Sequence, residues 1–153
     1  MSKNNLFKKE LLVSSLNAST NEEVLRQLAQ VLFEHGYVKE SFSDAIVARE
    51  GVFPTGLGRL AIPHTDREHT ISDAIAVAIL SNPVEFTMMG AEDEVCLVNV
   101  VFMLAMSSND AQIETLQTIM GYAQSREALD FLLRSSGVNE MYQVLSKELV
   151  YED

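Results

Sequence analysis

The sequence has few cysteines, prolines and aromatic residues, and it contains no tryptophan. Its one cysteine, Cys96, excludes an internal disulfide, as suits a reducing cytosol. Because Cys96 lies in the apolar run 95–98, we expect a small buried hydrophobe there. Three prolines and seven glycines are too few for a disordered or collagen-like chain. The length of 153 residues instead predicts one globular domain, 1–153, with a core of its own.

Positive charge is also scarce, since 11 basic residues face 22 acidic ones and the net charge is -11. An acidic surface repels nucleic-acid phosphates, so nucleic acid is excluded as a partner. The charge either attracts a basic protein partner or serves solubility alone.

Long hydrophobic runs are missing too. Asn99 interrupts Val95–Met106, which is too short to span a bilayer, and no long apolar run follows the first ten residues. We therefore expect a cytoplasmic protein without membrane insertion.

The hydrophobic pattern of the first third predicts two helices. Thr20 and Glu23 form a capping box at the start of the first helix. Gly36 ends it, in the position of a left-handed cap. The second helix is predicted from about Glu40 to Glu50 and is closed by Gly51.

Apolar and β-branched segments predict strands, one near the start of the chain and the others in its middle. These strands are expected at 11–16, 60–63, 74–80, 84–86 and 95–105, with a turn at Asn82-Pro83. Three more helices are expected: one capped by Asn109 or Asp110, one over 127–133 and one over 140–149. Helices on both sides of long apolar strands predict an α/β layered fold.

His64 is the histidine placed best for chemistry. It follows Pro63 directly, after the loop 52–59 with its proline and glycines and a short apolar strand. The end of a strand beside a glycine loop is where α/β proteins place functional groups. A neutral imidazole is a nucleophile near neutral pH, so His64 could accept a phosphoryl group and release it. The alternative is a turn histidine with a satisfied hydrogen bond. His35, at the end of the first helix, is expected to interact with the helix dipole.

A metal site is a weaker alternative. His64, Asp66 and His69 lie within six residues of one another, but their spacing matches no zinc signature, and Cys96 would be a poor fourth ligand. The chain has no nucleophile elbow, no Walker A sequence and no dinucleotide fingerprint.

Several motifs resemble the fructose/mannitol-type Enzyme IIA family of the sugar phosphotransferase system. The segments REGVFPTGL (49–57) and AIPH (61–64) resemble its active-site signature, in which the histidine carries a phosphoryl group. HTDREH (64–69), PVEFTMMG (83–90), VFMLA (101–105) and QIETLQ (112–117) resemble the galactitol-type branch. The resemblance covers nearly the whole chain and implies a mixed β-sheet flanked by helices.

The resemblance also implies a function. The protein would be a phosphotransferase, a phosphohistidine carrier that takes its phosphoryl group from phospho-HPr and passes it to a cysteine of Enzyme IIB. The sugar, galactitol or a related polyol, would be phosphorylated later during transport through Enzyme IIC. No metal or organic cofactor is expected. Two alternatives stay open: a regulator whose phosphorylation controls a protein partner, and a module that only binds an anion.

The same resemblance assigns roles to residues near His64. Arg49 matches the family's arginine near the site, and its planar fork suits phosphoryl oxygens. Otherwise it would be a surface cation at a helix end. Thr55 is expected to donate its hydroxyl to those oxygens, and Gly56 its backbone N–H. Asp66 is expected to orient the loop or to face a partner.

Two departures from the family pattern concern the same site. The loop between Thr55 and Ala61 is shorter than usual by at least one residue. Gln112 also stands where mannitol and fructose members carry a second active-site histidine. Its amide donates a hydrogen bond but carries no positive charge. His69 is a candidate to compensate, or else a solvated surface histidine.

Overall fold

The structure of the protein, a computed structural model, describes residues 6–148. The elements in chain order are β1 (Phe7–Leu16), α1 (Asn21–Glu34), α2 (Phe42–Val52), β2 (Leu60–Ala61), β3 (Ala74–Met88), β4 (Ala91–Ala105), α3 (Asn109–Ala123), α4 (Arg126–Leu133) and α5 (Val138–Glu148). A 3-10 turn at Arg67–His69 precedes β3. None of the helices within 6–148 is long and apolar enough to cross a membrane.

The four strands form one mixed sheet in the order β1-β3-β4-β2. β1 runs parallel to β3, and β2 runs parallel to β4. The central pair, β3 and β4, is antiparallel. The expected mixed sheet flanked by helices is therefore confirmed.

Residue alternation along β3 divides the core between the two faces of the sheet. Ala74, Ala76 and Ala78 lie in the cluster that also contains the buried residues of α1 and α2. Ile75 and Val77 lie in the cluster with the buried residues of α3, α4 and α5. Because both faces are covered there, the first part of β3, residues 74–80, is a continuous apolar run.

The predicted ends of the first helix are confirmed. The Thr20 hydroxyl accepts a hydrogen bond from the Glu23 N–H at 3.2 Å, and the Glu23 carboxylate accepts one from the Ser19 N–H at 3.0 Å. At the other end Gly36 has φ 82°, and the Tyr37 N–H donates to the Leu32 carbonyl at 3.0 Å. This pair of features is a Schellman motif.

The predicted end of the second helix was wrong. α2 continues through Gly51 to Val52, and Phe53 leaves the helical region with φ -126° and ψ 85°. Pro54 explains the stop, because a proline disfavours the helical conformation of the residue before it. Gly51 therefore lies inside the helix rather than after it.

The predicted turn at Asn82-Pro83 was also wrong. β3 continues to Met88, and the pairing with β4 shifts register between Ile79 and Val84. A proline is tolerated at such an irregularity because no ladder hydrogen bond requires its missing N–H. The chain reverses at Gly90 instead, which has φ 77°. Consequently β4 begins at Ala91, before the expected residue 95.

The cap of α3 differs by one residue from the expectation of Asn109 or Asp110. The Ser108 hydroxyl accepts a hydrogen bond from the Ala111 N–H at 3.1 Å. The last two helices agree with the prediction to within two residues, and Leu149 lies outside the described residues.

Gly56 lies where the loop before β2 packs closely against the β3–β4 hairpin. A Cβ atom at this position would lie 2.6 Å from the Thr87 carbonyl oxygen and 2.8 Å from Cys96 Sγ. Cys96 is half-buried rather than fully buried, and burial raises the pKa of its thiol. Only glycine fits here without movement of the β3 backbone.

Gly56→Ala should lower the free energy of unfolding by about 2 kcal/mol, because the added methyl group overpacks the contact with Thr87. Urea unfolding followed by circular dichroism measures this change. The matched control is Gly51→Ala, where a methyl group meets nothing within 4 Å. Within a helix that substitution should stabilise by about 0.5 kcal/mol. Equal effects of both substitutions would contradict the close packing of Gly56.

Candidate functional site

The short loop before β2 closes as a tight hairpin. The Leu57 N–H donates to the Leu60 carbonyl at 2.7 Å, and the Ile62 N–H donates to the Thr55 carbonyl at 3.3 Å. Gly58 supplies the positive φ of 84° that the turn needs. These contacts give a compact hairpin that leads directly to His64.

The backbone next to His64 is attached to the sheet. The Leu104 N–H of β4 donates to the Pro63 carbonyl at 3.0 Å. Ile62 is fully buried, and Pro63 is buried beside it. His64 is therefore held at the end of the extended segment rather than on a loose loop.

The ring of His64 has a defined tautomer. Its Nδ1 lies 2.8 Å from the Ile62 carbonyl oxygen. A carbonyl only accepts hydrogen bonds, so Nδ1 carries the proton and Nε2 carries the lone pair. Burial lowers the pKa of His64 below its usual 6.5, against the Ile62 bond, and nearby Arg49 lowers it further. The imidazole is therefore neutral near pH 7, with Nε2 as its nucleophilic atom.

His64 lines an open cleft of about 480 Å³. The other lining residues come from the end of α2, the loop after it and the β3–β4 hairpin: Arg49, Val52, Phe53, Pro54, Thr55, Met89, Gly90 and Glu92. The structure thus brings His64, Arg49 and Thr55 together.

Arg49 is held in place by two neighbours. Its guanidinium carbon lies 4.4 Å from the centre of the Phe53 ring, and Nη1 lies 3.6 Å from Asp66 Oδ1. Within the described part of the chain, its buried Nε has no hydrogen-bond partner. Because Asp66 is mostly exposed, the ion pair orients the arginine more than it stabilises the fold. Arg49 therefore lies beside His64 with donor groups still free.

Thr55 is occupied by a buried carboxylate. Glu50 is 6% exposed, and its two oxygens accept hydrogen bonds from the Thr55 N–H and the Thr55 hydroxyl, each at 2.8 Å. Burial raises the pKa of Glu50 to about 7, although the two hydrogen bonds oppose that rise. The expected role of Thr55 is therefore corrected for the ionised form of Glu50, in which the Thr55 hydroxyl donates to that carboxylate and not to a phosphoryl oxygen.

The expected role of Gly56 also needs correction. Its N–H donates to the Thr87 carbonyl at 3.0 Å, and its own carbonyl accepts from the Met89 N–H at 2.9 Å. Both polar groups are used to attach the hairpin to β3. Gly56 thus shapes the cleft and has no free N–H for an anion.

The remaining candidates are not among the residues that line this cleft. Gln112, half-buried in the first turn of α3, does not line it, and neither does His69. Nδ1 of His69 lies 2.8 Å from the Ser41 hydroxyl, before α2. His35 has Nδ1 2.9 Å from the Val31 carbonyl oxygen in the last turn of α1, which agrees with its expected place at the helix end.

The alternative metal site is not assembled. Among residues 6–148, no three histidine, cysteine or acidic side chains lie close enough to hold an ion. Nδ1 of His64 and Nδ1 of His69 both lie at hydrogen-bond distance from protein oxygens.

Sequence reasoning missed Glu50, although its spacing carried a signal. Phe42, Ile46 and Glu50 are four residues apart and therefore share one helix face. They are also the buried residues of α2. A carboxylate that continues an apolar stripe indicates a buried acid, and such acids need partners.

A family model, "Phosphoenolpyruvate-dependent sugar phosphotransferase system, EIIA 2", matches residues 5–148. The galactitol-specific EIIA component of Escherichia coli K12 is 28% identical over 124 residues, which cover 78% of this chain and 82% of that protein. The transcriptional regulator ManR of Bacillus subtilis is 38% identical over 89 residues, which cover 58% of this chain and 13% of ManR.

Solved structures agree in fold. The crystal structure of mannitol IIA from Escherichia coli has a TM-score of 0.77 at 22% identity, covering 91% of this chain and 98% of that chain. The same protein was also solved in a complex with phosphorylated mannitol IIB. That structure has a TM-score of 0.78 at 21% identity, covering 92% of this chain and 97% of that chain.

Glu50→Gln should remove a pH dependence of stability. Because the pKa of Glu50 rises from 4.5 to about 7 on folding, the folded state binds more protons between these values. The contribution of this group to stability therefore falls as the pH rises through that window. Across it, the free energy of unfolding of Glu50→Gln relative to wild type should rise by about 3 kcal/mol.

Urea unfolding at a series of pH values measures this difference. Glu92→Gln is the control, because it removes an exposed carboxylate at the mouth of the same cleft. Parallel stability profiles for wild type and Glu50→Gln would contradict the burial of a titrating carboxylate.

Proposed function

Because the chain belongs to the EIIA 2 family of the phosphoenolpyruvate-dependent sugar phosphotransferase system, we propose that it is a phosphocarrier that takes a phosphoryl group onto Nε2 of His64. Phospho-HPr is the donor, and a cysteine of Enzyme IIB is the acceptor. The observation that carries this proposal is the hydrogen bond between Nδ1 of His64 and the Ile62 carbonyl. It leaves Nε2 unprotonated, and His64 lines an open cleft beside Arg49.

The first transfer moves one phosphoryl group between two imidazoles. The lone pair of Nε2 attacks phosphorus, a new N–P bond forms, and the N–P bond to the donor histidine breaks. His64 keeps its proton on Nδ1, so the positive charge that develops on the ring is stabilised by the Ile62 carbonyl. In the second transfer a thiolate of Enzyme IIB attacks the same phosphorus, and Nε2 leaves.

Arg49 supplies the positive charge in this scheme. The three phosphoryl oxygens carry negative charge throughout both transfers, and a guanidinium fork matches their geometry. The contacts with Phe53 and Asp66 restrict its side chain before the phosphoryl group arrives. Less conformational entropy is then lost when Arg49 binds the oxygens.

The surroundings of the cleft support a protein partner. Val52 and Phe53 line it and are 61% and 56% exposed, and exposed apolar residues at a cleft suit a transient interface. Enzyme IIB as acceptor is supported by the structure of the similar mannitol IIA in complex with phosphorylated IIB. Enzyme IIC is reached only indirectly. Galactitol or a related polyol is the proposed transported sugar, from the similarity to the galactitol-specific EIIA component.

The similarity to ManR supports a second candidate function. In this alternative, phosphorylation of His64 controls binding to a protein partner, and no Enzyme IIB removes the phosphoryl group. The chemistry at His64 is the same, but the fate of the phosphoryl group differs.

Incubation with phosphoenolpyruvate, Enzyme I and HPr should add one acid-labile phosphoryl group, read by intact mass. His64→Ala should abolish the gain because it removes the nucleophile. His69→Ala, the matched histidine outside the cleft, should keep it. Addition of the galactitol-type Enzyme IIB should then remove the group from a carrier and leave it on a regulator. Failure of wild type to gain mass beside an active control IIA would overturn both functions.

A further inference from the structure

Glu50 is connected to His64 by a continuous series of hydrogen bonds. Both oxygens of the Glu50 carboxylate accept from Thr55. The Thr55 carbonyl accepts from the Ile62 N–H, and the Ile62 carbonyl accepts from Nδ1 of His64. The last turn of α2 therefore contributes to the site twice, with Arg49 lining the cleft and Glu50 buried beneath the loop.

The two hydrogen bonds from Thr55 match an ionised Glu50, in which both oxygens accept. A carboxylate accepts both the N–H and the hydroxyl proton, whereas a protonated carboxyl group has one oxygen that donates. On protonation, that O–H donates to Thr55 Oγ1, while the other oxygen still accepts the Thr55 N–H. The hydroxyl hydrogen of Thr55 must then leave Glu50 for another acceptor. Thr55 lines the cleft that contains His64, so a phosphoryl oxygen there is the acceptor at hand.

Resting on the proposed function, we infer that Glu50 is a positioning residue for phosphoryl transfer that acts on His64 through Thr55 and Ile62. Its ionised form holds the loop and occupies the Thr55 hydroxyl. Its protonated form holds the same loop and turns that hydroxyl toward the phosphoryl oxygens.

The environment of Glu50 favours such a switch over a purely structural role. Among the described residues no lysine, arginine or histidine forms an ion pair with it. An uncompensated buried carboxylate is costly, and a glutamine would satisfy the same loop without that cost. Burial raises the pKa of Glu50 to about 7, so both forms are populated near neutral pH.

Other groups that titrate or carry charge lie around Glu50 in the described structure. Arg49 precedes it on α2. Cys96 of β4 lies near enough for the Glu50 charge to raise its pKa further, so this thiol stays protonated near neutral pH. Glu92 of β4 shares with Glu50 the lining of an adjoining cleft of about 390 Å³. None of the three donates to the Glu50 oxygens, whose hydrogen bonds come from Thr55 alone in the described structure.

The test compares phosphoryl transfer from phospho-HPr to wild type and to Glu50→Gln between about pH 5.5 and about pH 8.5, on either side of neutrality. The rate of Glu50→Gln is divided by that of wild type at each pH, which cancels the titration of the donor. We expect a ratio near one at the acid end and about tenfold at the alkaline end, as for one hydrogen bond to a charged group. A ratio that does not change with pH would overturn the inference.

Thr55 variants separate the switch from general damage. Thr55→Val should transfer slowly and should make Glu50→Gln ineffective, because no hydroxyl is left to turn. Thr55→Ser keeps the hydroxyl and should keep the wild-type pH profile. If Glu50→Gln changes the profile equally in the Thr55→Val background, Thr55 does not transmit the effect.

Nuclear magnetic resonance of the unphosphorylated protein tests the same connection without any donor. The Thr55 amide and the Nδ1 proton of His64 should both follow a titration near pH 7 that is absent in Glu50→Gln. If the titration of these two signals is the same in wild type and Glu50→Gln, the positioning role of Glu50 is overturned. If wild type accepts no phosphoryl group, the proposed function fails by itself, and this titration decides whether Glu50 positions His64.

Discussion

Nδ1 of His64 donates a hydrogen bond to the Ile62 carbonyl at 2.8 Å, and the chemistry of the site depends on this contact. It places the proton on Nδ1 and the lone pair on Nε2. The Ile62 carbonyl is in turn held by Pro63, which is attached to β4, and by the hairpin that pairs Thr55 with Ile62. The sheet, the short loop and the end of α2 therefore all serve to orient one imidazole ring.

Under the proposed function, the charges in the cleft suit a group that arrives already negatively charged. The chain carries a net charge of -11. Within the cleft, however, His64 is neutral, and Arg49 is restrained by Phe53 and Asp66. Among the residues whose burial is described, Glu50 is the one buried acid, and its oxygens accept hydrogen bonds from Thr55. An acidic exterior favours encounter with a basic partner and acts on the association rate more than on affinity.

Much of the architecture could be predicted from local sequence signals. The cap at Thr20 and the end at Gly36 depend on neighbouring residues only, so the sequence predicts them well. Pro83 suggested a turn that the structure does not have. Pairing with β4 keeps β3 extended through a register shift, and this tertiary contact is not visible in the local sequence. At the site, motif and position singled out His64 and Arg49, and both line the cleft; their roles in phosphoryl transfer stay predictions. The partners of Thr55 and Gly56 could not be predicted, since they depend on how a buried acid and a distant strand pack against the loop.

The proposed site of phosphorylation is Nε2 of His64. It is tested most directly by phosphorus–nitrogen correlation spectroscopy of the phosphorylated protein with ¹⁵N-labelled histidine. Phosphorus should couple to Nε2 of His64, with Nδ1 still protonated and bonded to Ile62. Coupling to Nδ1 of His64, or to the ring of His69 or His35, would contradict the account.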